Sequence, residues 1–188
     1  KAQATPMPKF TTGCDPGLVT KFNKVNKLTK LIGNMKNPLE QKNLSINLKK
    51  ATPADIPALL QIEKSVAGTN VYSPMLEENE WQEELQKETI YIVEKDGIAV
   101  GNVSYEKKND ERAYISGLVV VPSFQGQGIA REVLIKILDE LKDFKKIDLV
   151  THPDNISAIK LYQSLGFVVE SRKENYYEDG EPRLVLIL

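Results

Sequence analysis

From residue 44 onward, the apolar positions follow two different periods, and each period predicts one kind of element. Spacings of three and four residues predict helices, whereas alternation of apolar and polar residues predicts half-buried strands. The helical spacings lie in segments 52–62, 77–87, 125–144 and 155–165. The strand-like segments are 45–48, 89–93, 98–105, 113–121, 147–151, 167–171 and 184–188, and Asp96-Gly97 predicts a hairpin between the second and third of them. This order predicts an α/β (or α+β) domain over residues 44–188 whose first half is largely antiparallel.

The first 43 residues differ from the rest of the chain in charge and in proline content. They hold eight lysines against two acidic residues, together with four of the ten prolines. After Asp15-Pro16-Gly17, which provides an N-cap and a first-turn proline, apolar residues recur at helical spacing up to Ile32. We therefore predict a basic N-terminal extension, residues 1–43, with one amphipathic helix at about 16–32. Docking of this helix on the domain and binding to a membrane surface or an anionic partner both stay open.

Composition excludes several classes of protein. The chain has one cysteine, Cys14, and one histidine, His152, so it can form neither an internal disulfide nor a Cys/His zinc site, and we expect no metal. A net charge of −1 gives no reason to expect specific nucleic-acid binding. No apolar run is long enough for a transmembrane segment, and no signal peptide opens the chain. We therefore expect a cytoplasmic location.

A turn with two glycines follows the most apolar predicted strand and leads into the predicted helix at 125–144. The first turn of a helix leaves backbone N–H groups unpaired and carries the positive end of the helix dipole. Gly126, Gly128 and Ala130 lack side chains that would keep a phosphate away from those groups. The turn therefore predicts a pyrophosphate site, with tight packing alone as the alternative. It is neither a Walker loop nor a dinucleotide fingerprint, since Arg131 takes the place of the third glycine.

Two motifs of this chain resemble those of the GNAT superfamily of N-acetyltransferases. Gln125-x-x-Gly128-x-Ala130 resembles the acetyl-CoA-binding motif Q/R-x-x-G-x-G/A. The segment from Asn155 to Phe167 resembles the second motif, N-x-x-A-x-x-L-Y-x-x-x-G-F, at every fixed position. The resemblance covers about residues 44–188. It implies the GNAT acyl-CoA N-acyltransferase fold, a mixed central sheet of about seven strands with helices on both faces, and acetyl-CoA as co-substrate.

The resemblance also implies where the co-substrate lies. In this family the strand before the glycine turn separates from the next strand, and pantetheine lies in the gap. The implied cofactor-binding residues are Leu118, Val119, Val120, Gln125, Gly126, Gln127, Gly128, Ile129, Ala130, Arg131, Asn155 and Tyr162. Tyr162 would give a proton to the departing thiolate, with a purely packing role as the alternative. If its pKa is the ordinary value of about 10, activity should fall as the pH approaches 10.

The reaction also needs a general base, because an alkyl ammonium with a pKa of about 10 must lose a proton before it can attack. Lys173–Tyr177 resembles a segment of the ribosomal-protein-alanine and other protein N-terminal acetyltransferases. Those enzymes carry the base five residues before the asparagine of the second motif, and this chain has Val150 there. Glu63 is our candidate base, and the other candidates are Glu106, Ser116 and His152.

We expect an acetyl-CoA-dependent N-acetyltransferase that transfers the acetyl group to a primary amine by direct attack in a ternary complex. The alternative within the same class is a protein N-terminal or lysine acetyltransferase. A different class is a non-catalytic acyl-CoA-binding regulatory module. The expected partners are acetyl-CoA and an amine acceptor, either a small molecule or a protein N-terminus, and a homodimer stays open.

Overall fold

A computed structural model describes residues 45–68 and 71–188 of the protein. Within these residues, one sheet packs against four α-helices. The strands are β1 (Ile46–Lys50), β2 (Thr89–Lys95), β3 (Ile98–Asn109), β4 (Arg112–Val120), β5 (Lys146–Thr151), β6 (Val168–Lys173) and β7 (Arg183–Ile187). The helices are α1 (Ile56–Val66), α2 (Glu78–Lys87), α3 (Ile129–Glu140) and α4 (Ile156–Ser164). The predicted N-terminal extension, residues 1–43, and its helix at 16–32 lie outside the described residues.

The sheet is mixed, and its strands lie in the order β1-β2-β3-β4-β5-β7-β6. Neighbouring strands are antiparallel except β4 and β5, which are parallel and are connected through α3. Ile90 and Ile92 of β2 pack with α1 and α2, whereas Val93 packs in the cluster that includes α3 and the end of α4. Because alternate residues of a strand point to opposite faces, the two helix pairs cover opposite faces of the sheet. The predicted seven-stranded mixed sheet with helices on both faces is confirmed.

The parallel strands β4 and β5 are held together at one end only. The Arg112 guanidinium donates two hydrogen bonds of 2.7 Å each to the carboxylate of Asp148, which is 2% exposed. The pairing then continues as far as Ile115 and Leu149. Beyond that point β4 runs on to Val120 with no partner on the β5 side among the described residues. One backbone edge of β4 is therefore left open beside the glycine turn.

The open end of β4 is held instead by β3, which approaches it very closely. Gly101 of β3 pairs with Val120, at the last position of β4. A Cβ atom on Gly101 would lie 2.1 Å from the backbone oxygen of Val119, far inside contact distance. Glycine at position 101 thus allows the two backbones to meet where β4 has already left β5.

We expect Gly101→Ala to lower the free energy of unfolding by about 1–3 kcal/mol or more, because the backbone of β4 would have to move. Chemical denaturation followed by circular dichroism measures the change. Gly117→Ala is the matched control on β4, since its Cβ would meet only the side-chain hydroxyl of Ser104, at 3.0 Å. Equal stability losses in the two variants would contradict the close approach of the two strands.

Candidate active site

The turn between β4 and α3 is shaped by two glycines in the left-handed backbone region. Gly126 has a φ of 74°, and Gly128, with a φ of 82°, is the N-cap of α3. The side-chain amide of Gln125 donates to the backbone oxygen of Val120 at 2.9 Å and closes the turn. The helix therefore begins at Ile129, four residues later than the apolar spacing predicted, because the left-handed glycines cannot continue a helix.

The N-terminus of α3 offers several backbone N–H groups to a ligand. The first bond of the helix runs from the Glu132 N–H to the Gly128 oxygen, at 3.1 Å. The N–H groups of Ile129, Ala130 and Arg131 precede that bond and have no intrahelical acceptor. Together with the positive end of the helix dipole, they form an arrangement that binds anions.

A cavity of about 510 Å³ lies between the open edge of β4, the glycine turn and the start of α4. All but one of the predicted cofactor-binding residues line it, namely Leu118, Val119, Val120, Gln125, Gly126, Gly128, Ile129, Ala130, Arg131, Asn155 and Tyr162. The exception is Gln127, which is exposed; its amide oxygen accepts a 2.6 Å hydrogen bond from Lys95. We call this the donor cavity. An open strand edge can pair with an extended, amide-containing arm, and a helix N-terminus can bind a diphosphate.

A second cavity, of about 470 Å³, lies on the other side of Tyr162, and we call it the acceptor cavity. The two cavities share the lining residues Val71, Tyr72, Leu118, Asn155 and Tyr162. The acceptor cavity carries four carboxylates, those of Glu63, Glu84, Glu88 and Asp179. Arg183 also lines it, but its guanidinium donates to Asp179 at 2.5 Å, so these two charges offset each other. The remaining carboxylates favour a cationic occupant.

Tyr162 stands at the junction of the two cavities. Its side chain is 8% exposed and packs edge-to-face against Phe167, with ring centroids 5.9 Å apart. Its hydroxyl has no hydrogen-bond partner among the described side chains and opens toward both cavities. Burial raises the pKa of Tyr162 to about 12. The expectation that this group ionises near pH 10 is therefore wrong, because the apolar surroundings of the ring disfavour the phenolate.

Glu63 is the most deeply buried carboxylate of the acceptor cavity. It lies on α1, is 1% exposed, and accepts hydrogen bonds from the Asn102 amide at 2.8 Å, the Tyr72 hydroxyl at 3.1 Å and the Met75 N–H at 3.3 Å. No cation contacts it among the described residues. Burial raises the pKa of Glu63, and the three hydrogen bonds oppose that shift in part. Three donors hold the carboxylate in place, and one of them belongs to Tyr72, which lines both cavities.

Tyr72 is a site residue that the sequence alone did not reveal. It lies in the connection between α1 and α2, where no periodic pattern assigns a side chain to either cavity. The structure places its hydroxyl against Glu63 and its ring between the two cavities. Burial raises the pKa of Tyr72 above its ordinary value, so the hydroxyl keeps its proton.

His152 lies in the acceptor cavity but its basic nitrogen is already occupied. Nδ1 accepts a hydrogen bond from the Asp154 N–H at 3.1 Å, so the ring proton lies on Nε2. Nε2 is 3.3 Å from a carboxylate oxygen of Glu181. Val150 also lines the cavity and, as its residue type dictates, provides no proton acceptor. Neither position supplies a free base.

The remaining two candidates have different environments. Glu106 lines neither cavity and forms an ion pair with Lys108, so the structure does not bring it to the site. Ser116 lines the acceptor cavity and donates a 2.5 Å hydrogen bond to Glu88. No sequence pattern points to Glu88, because it stands between the charged helical segment and the next strand and resembles the solvated positions of both.

Among the residues that the structure describes, no three His, Cys, Asp or Glu side chains come together as a metal site. None of the helices in residues 45–68 and 71–188 combines the length and the apolar character needed to cross a membrane.

Known proteins share part of this sequence. The profile of the "Acetyltransferase (GNAT) family" matches residues 56–167. The UPF0157 protein YqkA of Bacillus subtilis is 32% identical over 123 residues, which are 63% of this chain and 36% of that protein. N-alpha-acetyltransferase 30 of Schizosaccharomyces pombe is 37% identical over 79 residues, 41% of this chain and 53% of that protein. The ribosomal protein bS18-alanine N-acetyltransferase of Escherichia coli is 33% identical over 75 residues, 39% of this chain and 51% of that protein. The matches thus span about half or less of each relative.

Solved structures share the fold. The Escherichia coli ribosomal-protein-S18-alanine N-acetyltransferase superposes with a TM-score of 0.66 at 23% identity, over 76% of this chain and 92% of that chain. The ribosomal L7/L12 alpha-N-protein acetyltransferase RimL, in complex with coenzyme A, gives a TM-score of 0.63 at 17% identity, over 78% and 94% of the two chains. The glycine turn, the separated strands and the second motif lie within or beside the stretch that the family profile matches. The matched stretch covers more than half of this chain, and the chain therefore belongs to the GNAT family of acetyltransferases.

Proposed function

We propose that this chain transfers an acetyl group from acetyl-CoA to a primary amine by direct attack in a ternary complex. The observation that carries the proposal is the meeting of two cavities at Tyr162. One has the features of a coenzyme A site and the other is acidic. Both substrates can therefore be bound at once, with their reacting atoms beside one buried hydroxyl.

The donor cavity supplies the groups that coenzyme A needs. The open backbone edge of Leu118, Val119 and Val120 can pair with the pantetheine amides, as a strand added to a sheet does. The N–H groups at the start of α3 can hold the pyrophosphate. Asn155 borders both cavities and would contact the arm near the thioester.

The chemistry requires two protons to leave the nitrogen and one proton to reach the sulfur. As the new N–C bond forms and the C–S bond breaks, a primary ammonium loses two protons in all, and the thiolate takes up one. Tyr162 is placed to give the proton to sulfur, since its hydroxyl has no other described partner. Its pKa of about 12 keeps it protonated throughout the working range. Tyr162 is thus the general acid of the proposal.

Glu63 is the general base of the proposal, acting through Tyr72. The attacking nitrogen loses a proton to the Tyr72 oxygen while the Tyr72 proton passes to Glu63, which it already contacts at 3.1 Å. The raised pKa of Glu63 brings its basicity closer to that needed near neutral pH. Because the base must be ionised, this step is lost as the pH falls through that raised pKa.

A protein N-terminus is a second candidate acceptor. Two of the relatives are named N-alpha-acetyltransferase 30 and ribosomal protein bS18-alanine N-acetyltransferase. Tyr177, from the segment that resembles theirs, lines the acceptor cavity. Val150, in contrast, lacks the base that those enzymes carry at that position.

The experiment that tests the function is release of free thiol from acetyl-CoA against a panel of amines. The panel contains spermidine, L-lysine, tripeptides with free N-termini, and an N-acetylated peptide with one lysine. We expect turnover with at least one of them, and the best acceptor decides between small amines, protein N-termini and lysine side chains. Tight acetyl-CoA binding without turnover of any acceptor would instead show a non-catalytic acyl-CoA-binding module.

The anion-binding turn predicts the effect of Gly128→Val. The valine side chain would fill the approach to the N–H groups of α3, so the Kd for acetyl-CoA should rise at least tenfold, or about 1.4 kcal/mol. Isothermal titration calorimetry measures it. Gly97→Val is the matched control for left-handed strain, since Gly97 has a φ of 79° and lies outside the donor cavity. Unchanged affinity in folded Gly128→Val protein would contradict the assignment of this turn as the pyrophosphate site.

Removal of the Tyr162 hydroxyl should slow transfer without weakening binding. Tyr162→Phe should lower kcat by about 10²-fold and leave the Kd for acetyl-CoA nearly unchanged, because the hydroxyl acts as charge develops on sulfur. With a pKa of about 12, the unaltered protein should show no loss of kcat up to pH 10. Full kcat in the phenylalanine variant would reduce Tyr162 to packing.

Loss of the buried carboxylate should lower activity at every pH above the raised pKa of Glu63. Glu63→Gln should lower kcat by about 10²-fold, and the deficit should persist to pH 10, since the attacking nitrogen loses its second proton whatever the pH. Glu83→Gln is the charge-matched control on the exposed side of α2. Steady-state kinetics with the best acceptor of the panel provide the measurement, and wild-type kcat in Glu63→Gln would exclude Glu63 as the base.

A further inference from the structure

A chain of hydroxyl groups in the acceptor cavity leads to a second carboxylate, and neither Glu63 nor Tyr162 belongs to this chain. Ser104 of β3 and Ser116 of β4 lie with their Oγ atoms 2.7 Å apart. Ser116 Oγ lies 2.5 Å from a carboxylate oxygen of Glu88, the residue between α2 and β2. All three side chains line the acceptor cavity.

The direction of the hydrogen bonds in this chain follows from what each group can donate. An ionised Glu88 can only accept, so Ser116 donates its single proton to it. Ser104 must then donate its own proton to Ser116. The Ser104 oxygen is left with lone pairs only, and an amine or ammonium entering the cavity can donate an N–H to it.

The position of Ser104 is well defined by its neighbours. Its side chain is 9% exposed, and a Cβ at Gly117 would lie 3.0 Å from its hydroxyl oxygen. Glycine at position 117 thus places no side chain against the Ser104 hydroxyl, which lies beside the edge of β4 that we assign to pantetheine. The accepting end of the chain therefore lies close to the place where an acceptor amine must stand.

We propose that Ser104, Ser116 and Glu88 form a relay that removes the first proton from a bound primary ammonium. The nitrogen proton passes to the Ser104 oxygen, the Ser104 proton to Ser116, and the Ser116 proton to Glu88. The amine becomes neutral with its lone pair free to attack, and the Glu88 carboxylate becomes a carboxylic acid. This inference rests on the proposed function and deepens it, since it adds a proton acceptor to the same site.

Burial separates the roles of the two carboxylates. Glu63 is 1% exposed, so the proton that it takes up is retained within the site, where it restores the proton that Tyr162 has given to sulfur. Glu88 is only half-buried and can return its proton to solvent after each turnover. The proton that leaves the enzyme before attack thus goes to Glu88, and the proton lost during attack goes to Glu63.

The charges around Glu88 suit a proton acceptor. Burial raises the pKa of Glu88, and Glu84 on α2 and Glu106 on β3 raise it further, while Ser116 and Ser104 lower it in part. No described cation pairs with it. The other titratable groups of the cavity are Glu63, Tyr72, His152, Tyr162, Tyr177, Asp179 and Arg183. Because the relay needs ionised Glu88, we expect its contribution to be lost as the pH falls through the raised pKa.

The test compares pH profiles of Glu88→Gln and Ser116→Ala with that of the unaltered protein. The probe is whichever amine of the panel (spermidine, L-lysine, a tripeptide or the lysine peptide) the unaltered protein acetylates best. With a basic amine, both variants should lose at least tenfold in kcat/KM at pH 7. They should recover to within threefold by pH 10, where a large fraction of the amine is already neutral in solution.

The recovery at high pH is the readout that a merely structural role would not produce, and Glu63→Gln should not show it. Glu83→Gln, on α2 five residues before Glu88 and outside the cavity, should behave like the unaltered protein at every pH. A deficit of equal size from pH 7 to pH 10, or full activity of Glu88→Gln at pH 7, would overturn the relay. Absence of turnover by the unaltered protein would overturn the proposed function and the relay with it.

Discussion

The separation of β4 from β5 is the constraint on which the rest of the site depends. Two parallel strands stay paired when nothing holds them apart, so this pair must be fixed at one end and drawn away at the other. The Arg112–Asp148 pair fixes the first end, with two hydrogen bonds to a carboxylate that water does not reach. The close approach of Gly101 to β4 fixes the second end against β3. A gap in the sheet results, bordered by backbone groups.

The gap determines where everything else lies. It leaves an open strand edge directly before the glycine turn, so an extended arm and a diphosphate can be bound as one continuous ligand. Helix α4 closes the far side of the gap and brings Tyr162 to its inner end. The acceptor cavity then opens on the other side of the same tyrosine. A single opening in a sheet thereby gives two binding spaces that share one wall.

Carboxylates without cations are the second theme of the site. Glu63 and Glu88 both lie in the acceptor cavity, both have hydrogen-bond donors, and neither has a described cation beside it. Burial raises the pKa of each, which costs stability when they are charged and increases their basicity. In most of a protein such groups would be paired, as Arg112 and Asp148 are here. We infer that the missing cation is the acceptor.

Much of this protein could be predicted from local sequence. The order of elements follows from periodicity, and the Asp96-Gly97 hairpin and the glycine turn follow from residues that tolerate positive φ. The two motifs located the donor cavity because its binding groups are mainly backbone atoms of one contiguous segment, and their positions depend on small residues and not on distant contacts. Gln127 was the exception, since only packing decides which way its side chain points.

The acceptor cavity could not be predicted in the same way. Tyr72, Glu88 and Ser104 come from a loop, a helix end and a strand, and none carries a local pattern that distinguishes it from a solvated residue. Candidates such as Glu106 and His152 were equally plausible by residue type. The role of each candidate depends on which partners the fold places within hydrogen-bond distance of its polar atoms, and on how much water the fold excludes there. The sequence by itself determined the fold and the side proposed to hold the donor. Only the tertiary structure decided which groups we propose as proton acceptors, because the basicity and direction of a buried polar group depend on neighbours far away in the chain.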